Sequence, residues 1–130
     1  MTVELWVLVY AAFLGLIQLV AATVAPMSQP GYAQWVKTNR DAPFVATGKA
    51  GALKRAFDNF KETFVFFVVA VIAVTFGHKS SGLSVWGAHI YLFARIAYVP
   101  AYLLAIPPAR TLIWSASMVG MGMCFWSLFI

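Results

Sequence analysis

Four polar residues share one face of a predicted helix, because they are spaced at i, i+3, i+4 and i+7. They are Arg55, Asp58, Asn59 and Glu62. The same helix continues into an apolar stretch from Thr63 onward. Ionisable groups at membrane depth are costly, so they are expected to face a bundle interior or a wet cavity. This face therefore predicts a site for a polar ligand at the mouth of a membrane bundle.

A second polar face follows on the next predicted helix, again at helical spacing. Tyr91, Arg95, Tyr98 and Tyr102 are separated by four, three and four residues. A membrane span needs none of these hydrogen-bond donors for its own backbone, since a helix satisfies its backbone groups internally. We therefore expect the second face to contribute donors to the same polar site.

Arg110 and Thr111 begin the last predicted helix, at the depth where the two polar faces converge. Arginines supply fixed donors for carboxylates, whereas Glu and Asn can hold an amine or an amide. The set suits a small zwitterion with carboxylates at its ends, and an opening toward lipid would admit an apolar second substrate. An arginine beside such a pocket can also stabilise a thiolate, the reactive form of a thiol.

Simpler interpretations of the same residues stay open at this point. Arg55 can form a structural ion pair with Asp58 or Glu62 across one helix turn, which contributes little when exposed. The tyrosines can be aromatic side chains of the membrane interface. Arg110 can be an ordinary cytoplasmic anchor. Gln18 can bond a neighbouring helix or reach the pocket.

The composition is that of an integral membrane protein. Of 130 residues, 62% are hydrophobic and 10% are charged, against about 25% charged in soluble domains. We expect a single membrane domain over residues 1–130. The net charge of +5 is scattered along the chain, so we expect no nucleic-acid partner. His78 and His89 have no matched ligand spacing, so we expect no metal, and the lone Cys124 is expected to be a packing residue.

Four stretches are long enough to cross a bilayer, which needs about 20 residues per helix. They are residues 5–24, 52–76, 83–106 and 111–130, with Pro107-Pro108 ending the third, and they predict an all-α, four-transmembrane-helix bundle. The 27-residue connection 25–51 is rich in Pro and Gly. Small residues in the last helix permit close helix contact; they are Ser115, Ser117, Gly120 and Gly122.

Lys and Arg predict the orientation, since they concentrate in cytoplasmic loops. The connection 25–51 and its flank hold five of them, and Arg110 marks the loop before the last span on the same side. The opposite side has only Lys79. We therefore expect these two loops in the cytoplasm and both termini outside, with Tyr32 and Trp35 at the membrane interface.

Three motifs resemble those of the MAPEG family, the membrane-associated proteins in eicosanoid and glutathione metabolism. Residues 55–62, RAFDNFKE, resemble the family signature Arg-Ala-x-x-Asn-x-x-Glu. Residues 95–102, RIAYVPAY, are similar to a second block with Arg, then His or Tyr three residues on, then Tyr four further. Residues 108–111, PART, resemble the family's Pro-x-Arg-Ser. The resemblance covers essentially the whole chain.

The resemblance implies a four-helix bundle that forms a homotrimer and binds glutathione between subunits at the cytoplasmic side. The residues implied in binding are Arg55, Asn59, Glu62, Arg95, Tyr98 and Tyr102, the last two acting from the partner subunit. Arg110 would stabilise the thiolate, with Thr111 where some members use Ser. One departure is that residues 5–24 lack the arginine by which the family's enzymes also hold glutathione, and Gln18 is the only substitute.

The expected function is therefore that of a glutathione-dependent membrane transferase or peroxidase acting on lipophilic electrophiles or hydroperoxides. The alternative is a non-enzymatic trimeric membrane protein of the same fold that binds a lipid or small molecule. A small drug exporter is disfavoured, because such exporters need a carboxylate in the middle of the first helix and Glu4 lies at its edge. The sequence looks like a divergent bacterial branch, for which we expect the inner membrane.

Overall fold

The chain is all-helical, as expected from its sequence, in a computed structural model that describes residues 1–130. Four long helices and one short helix follow one another, with a 3₁₀ turn after the first long helix and another at the C-terminus. In chain order the elements are α1 (Val3–Val24), a turn (Ala25–Ser28), α2 (Tyr32–Val36), α3 (Gly48–Phe76), α4 (Gly82–Leu103), α5 (Pro107–Trp126) and a turn (Ser127–Phe129).

Three segments are long and apolar enough to cross a membrane: Val3–Ser28, Gly48–Phe76 and Pro107–Phe129. Their outward surfaces carry large exposed apolar side chains, such as Ile17 on α1 and Phe66 on α3. α4 has 22 residues but is not among the three, since Arg95 and His89 lower its hydropathy.

The connection between α1 and α3 is shorter and more structured than the sequence indicated. It contains α2, and α3 begins at Gly48, four residues before the expected start at Ala52. Gly48 and Gly51, which suggested a loop, are part of the helix. Gly48 has φ 60°, a left-handed value that glycine adopts readily, and Gly51 lets the helix approach the preceding segment. A Cβ on Gly51 would lie 2.6 Å from the carbonyl oxygen of Ala46.

The boundary between α4 and α5 was also predicted wrongly. α4 ends at Leu103 rather than Ile106, and α5 begins at Pro107 rather than Thr111. A proline fits the first turn of a helix, because the N–H that it lacks would have no intrahelical partner there. Pro107 therefore opens α5, and Arg110 lies in the first turn of that helix instead of in a loop.

α4 and α5 form the closest helix pair, and two glycines are the reason. A Cβ on Gly87 would lie 2.5 Å from the carbonyl oxygen of Gly120, and a Cβ on Gly120 would lie 2.6 Å from that of Gly87. Of the four small residues expected to permit close contact, Gly120 and Ser117 are buried, whereas Ser115 and Gly122 are exposed.

The core between α3 and α4 contains Tyr91, which the sequence placed on the polar face. Its ring stacks on Phe67 with centroids 4.1 Å apart, and its hydroxyl oxygen is 3.0 Å from Oγ1 of Thr63. Tyr91 is fully buried, so it is neither a surface aromatic nor a group that faces the candidate site.

At the N-terminal end of α1, Glu4 is fully buried. Its carboxylate accepts hydrogen bonds from the hydroxyls of Ser80, at 2.8 and 3.0 Å, and of Ser84. Ser84 also bonds the backbone of Ser81 at the start of α4. Glu4 therefore fastens α1 to the turn between α3 and α4.

The contact between Gly87 and Gly120 predicts opposite effects of the same substitution at two positions of α5. Gly120→Ala should lower the free energy of unfolding by about 1–3 kcal/mol, since overpacking forces the backbones apart. Gly122→Ala is the control, because nothing lies within 4 Å of a Cβ built there, and it should be neutral or raise stability by up to about 1 kcal/mol through helix propensity. Thermal unfolding in detergent measures both. Equal effects would contradict the role of Gly120.

Candidate functional site

Arg95 of α4 lies inside the bundle, with 1% of the residue exposed. Its Nη2 donates a hydrogen bond to Oδ1 of Asn59 on α3 over 2.8 Å. Its Cζ lies 4.5 Å from the ring centre of Tyr98 and 5.7 Å from that of Phe60, within the range of cation–π attraction. Arg95 therefore joins the polar faces of α3 and α4.

This hydrogen bond fixes which way the Asn59 side chain points. A guanidinium has donors and no acceptor, so the carboxamide oxygen of Asn59 must face Arg95. The NH₂ group of Asn59 is then free for another acceptor, and the residue lines a cavity. Asn59 can accordingly donate to a ligand in that cavity.

The cavity has a volume of about 290 Å³ and lies between α3, α4 and the start of α5. Its walls are mostly polar and include four of the predicted site residues besides Asn59. It is lined by Asn59, Tyr98, Tyr102, Pro107, Arg110, Thr111 and Trp114. No acidic residue is among them.

Two arginines from different helices gather around one tyrosine at this cavity. The Cζ of Arg110 lies 4.6 Å from the ring centre of Tyr102, and the Cζ of Arg55 lies 5.7 Å from the same ring. The aromatic ring attracts both cations, but it does not neutralise them. Within one chain, the structure thus brings together Arg55, Tyr102 and Arg110.

The ion pair that the sequence allowed between Arg55 and Asp58 is not formed. Asp58 instead pairs with Lys54, at 3.0 Å, and with Lys61, at 3.2 Å. These are the two salt bridges of the chain, so none of the three arginines near the cavity has a carboxylate partner.

Glu62 and Thr111 differ from their expected surroundings. Glu62 is exposed and does not line the cavity, although it shares the helix face of Arg55. Thr111 lines the cavity, but its hydroxyl donates to the backbone oxygen of Pro107 over 3.3 Å. That hydroxyl therefore stabilises the first turn of α5.

Two buried side chains have polar atoms without hydrogen-bond partners. They are Gln18 of α1, at both amide atoms, and Arg95, at Nε and Nη1. Gln18 is 5% exposed and lies one turn from Gly15, where α1 packs on Phe60. An unpaired buried polar group costs about 1–3 kcal/mol, so each of these atoms calls for a partner, which can be a water molecule, a ligand or a second chain.

The donor set around the cavity suits a ligand rich in acceptors. Arginine, tyrosine and asparagine side chains supply donors in several directions, and carboxylates match the planar guanidinium. α1 contributes no arginine to this end of the bundle, and Gln18 is the only buried polar residue in the C-terminal half of that helix.

Two lining residues, Pro107 and Trp114, were missed at the sequence level. The spacing offered a signal for Trp114, which lies four residues after Arg110 and three after Thr111, on the same helix face.

No group of three or more His, Cys, Asp or Glu side chains is placed to hold a metal ion. Cys124 is buried in the core between α1, α3, α4 and α5.

The fold and the cavity define a helical membrane protein with a donor-rich site near one end of its bundle. The model of the MAPEG family matches residues 3–130. The chain therefore belongs to the MAPEG family, as its motifs indicated. No curated protein and no solved structure matches it.

The unpaired amide of Gln18 predicts that an apolar residue is more stable at this position in the ligand-free protein. Gln18→Leu should raise the free energy of unfolding by about 1–3 kcal/mol, because a buried group without partners is removed. Gln34→Leu on the exposed face of α2 is the control and should change stability little. Thermal unfolding in detergent compares them. A loss of stability in Gln18→Leu would mean that the amide is paired in solution.

Proposed function

We propose that the protein is a glutathione-dependent membrane transferase or peroxidase that acts on lipophilic electrophiles or hydroperoxides. The observation that carries this proposal is the pair of guanidinium groups, Arg55 and Arg110, at one tyrosine ring without a carboxylate partner. Two positive charges at one ring repel each other unless an anion is present, so the arrangement favours an anionic ligand near Tyr102. Membership of the MAPEG family, which includes glutathione-dependent enzymes, supports the same chemistry.

Each residue of the site would bind a different group of glutathione, according to its position. Arg55 and the NH₂ group of Asn59 would bind carboxylate and carbonyl oxygens, and Glu62 would hold the ammonium group. Tyr98 and Tyr102 would add hydroxyl donors, while Arg95 positions Asn59 from behind. Arg110 would stand beside the sulfur, where its charge favours the thiolate over the thiol.

Glutathione supplies a thiol for either reaction. In a transfer, the thiolate forms a bond to an electrophilic carbon, and the leaving group departs with its electron pair or the adduct takes up a proton. In a peroxidase reaction, two glutathione molecules are oxidised to the disulfide while the hydroperoxide is reduced to an alcohol and water. Large apolar side chains are exposed at the end of the bundle that holds the cavity, including Leu104 and Leu112. They would give a lipophilic substrate access from the membrane.

A non-enzymatic, trimeric membrane protein of the same fold that binds a lipid or small molecule is the second candidate. It is favoured by α1, which offers Gln18 in place of an arginine, and by Thr111, whose hydroxyl is bonded to Pro107. In both candidates α4 also crosses the membrane, as the third of four spans. The positive connection between α1 and α3 lies in the cytoplasm, both termini lie outside, and the membrane is the bacterial inner membrane.

Calorimetry with purified, detergent-solubilised protein tests glutathione binding. Arg55→Ala should weaken it by about 1.5–3 kcal/mol, the range for a hydrogen bond to a charged group. Lys61→Ala is the matched control, because it removes a positive charge from the same helix but one that is paired with Asp58. Arg110→Ala should leave binding largely intact and raise the pKa of the bound thiol, which ultraviolet absorbance of the thiolate follows directly.

Two outcomes would contradict the enzymatic proposal. The first is the absence of both glutathione heat and thiolate absorbance at millimolar ligand in the unsubstituted protein. The second is an equal loss of binding in Arg55→Ala and Lys61→Ala, which would indicate general charge attraction. The non-enzymatic candidate would then replace the first.

A homotrimer is proposed because a single chain leaves charged residues of α3 uncovered. Arg55 and Glu62 are exposed on this membrane-capable helix, and charge that faces lipid is costly. Association through α3 would cover them. Native mass spectrometry in mild detergent should give three copies of the 14.3 kDa chain. Monomers or dimers alone would contradict the trimer.

A further inference from the structure

The connection between α1 and α3 is a folded unit built on three aromatic rings. The ring centres of Tyr32, Trp35 and Phe44, here called the aromatic cluster, lie 5.3–5.7 Å from one another. The indole N–H of Trp35 donates to the backbone oxygen of Ala42 over 2.7 Å. A tether between two spans needs none of this order, so the unit requires another explanation.

Side-chain bonds close the unit at its base. The amide of Gln29 donates to the backbone oxygen of Thr47 over 2.8 Å and accepts from the Thr47 N–H over 3.1 Å. These two bonds join the start of the connection to its end, just before α3. The connection therefore holds a fixed position against the ends of α1 and α3.

A cavity of about 340 Å³ lies between the aromatic cluster and the bundle. Its floor is the last turn of α1 with Ala22 and the following Pro26, and its wall is the aromatic cluster. Arg40 and Lys54 also line it, and no acidic residue does. It shares no lining residue with the cavity at Asn59 and Arg110, so it is a separate site.

The two cations are held at this cavity in different ways. Arg40 has no salt bridge, and its Cζ lies 5.3 Å from the ring centre of Trp35. Its backbone has φ 59°, a left-handed value that non-glycine residues rarely adopt, and its N–H bonds Oγ1 of Thr38 over 3.1 Å. Lys54 shares Asp58 with Lys61, so its charge is only partly neutralised.

Apolar, aromatic and cationic surfaces meet at this cavity. α1, whose last turn forms the floor, exposes large apolar side chains, including Leu16, Val20 and Val24. The wall is the aromatic cluster, and aromatic rings of this kind favour the headgroup level of a membrane. The two cations line the same cavity. These three kinds of surface match the acyl chains, glycerol region and phosphate of a phospholipid.

We propose that this cavity binds the headgroup of an anionic phospholipid. The phosphate lies between Arg40 and Lys54, the headgroup contacts the aromatic cluster, and an acyl chain follows the exposed face of α1. Basic side chains near a membrane surface attract anionic lipid, and here two of them converge on a cavity rather than on an open surface. The proposal is independent of whether glutathione binds at the other cavity.

Native mass spectrometry of the full chain in mild detergent tests the proposal. Phosphatidylglycerol should be retained more strongly than phosphatidylcholine with the same acyl chains. Arg40→Gln and Lys54→Gln should each lower the retained phosphatidylglycerol about fivefold. Lys37→Gln is the matched control, because Lys37 is an exposed cation of the same connection that does not line the cavity, and it should have little effect. Circular dichroism checks that each variant keeps its helices.

Three outcomes would overturn the proposal. Equal losses in Lys37→Gln and Arg40→Gln would mean a diffuse charge effect without a site. Equal retention of phosphatidylcholine would mean that the headgroup charge is not recognised. Displacement of phosphatidylglycerol by millimolar inorganic phosphate would mean that the cavity takes a soluble anion instead of a lipid.

Discussion

The arrangement at the candidate site depends on a single buried cation. Arg95 lies within the bundle and donates one hydrogen bond, to Asn59 of α3. Burial of a charge is tolerated only with partners, and the partners here come from α3 and from the rings of Tyr98 and Phe60. This interaction joins α4 to α3 and leaves the NH₂ group of Asn59 free to donate elsewhere, which adds to the excess of donors at the site.

The two ends of the bundle differ in how their polar groups are satisfied. At the N-terminal end of α1, Glu4 accepts bonds from Ser80 and Ser84, so this end is closed by bonds within the chain. At the other end Gln18 and part of Arg95 have no partner. The serine bonds of Glu4 and the glycine contact between α4 and α5 hold helices together within the chain, whereas the other end keeps buried polar atoms unpaired.

Much of the site could be predicted from helical spacing. The polar faces around Asn59 and around Tyr98 were identified from their intervals alone, because a helix turns by a fixed angle per residue. The ends of helices were harder to predict, as at Gly48 and Pro107. Glycine and proline suggest a loop, yet both occur in the first turn of a helix. In α3, Gly51 is needed where Ala46 approaches closely, and in α5 the N–H that Pro107 lacks is not needed.

The sequence by itself determined that the chain is helical, apolar enough for a membrane, and marked by the motifs of the MAPEG family. Only the tertiary structure decided which polar groups meet. Asp58 pairs with Lys54 and Lys61 rather than with Arg55, and Glu4 is enclosed by two serines that lie far away in the chain. Spacing fixes the face on which a side chain lies, but its partner is set by how helices pack and which rotamer fits, and these depend on the whole bundle.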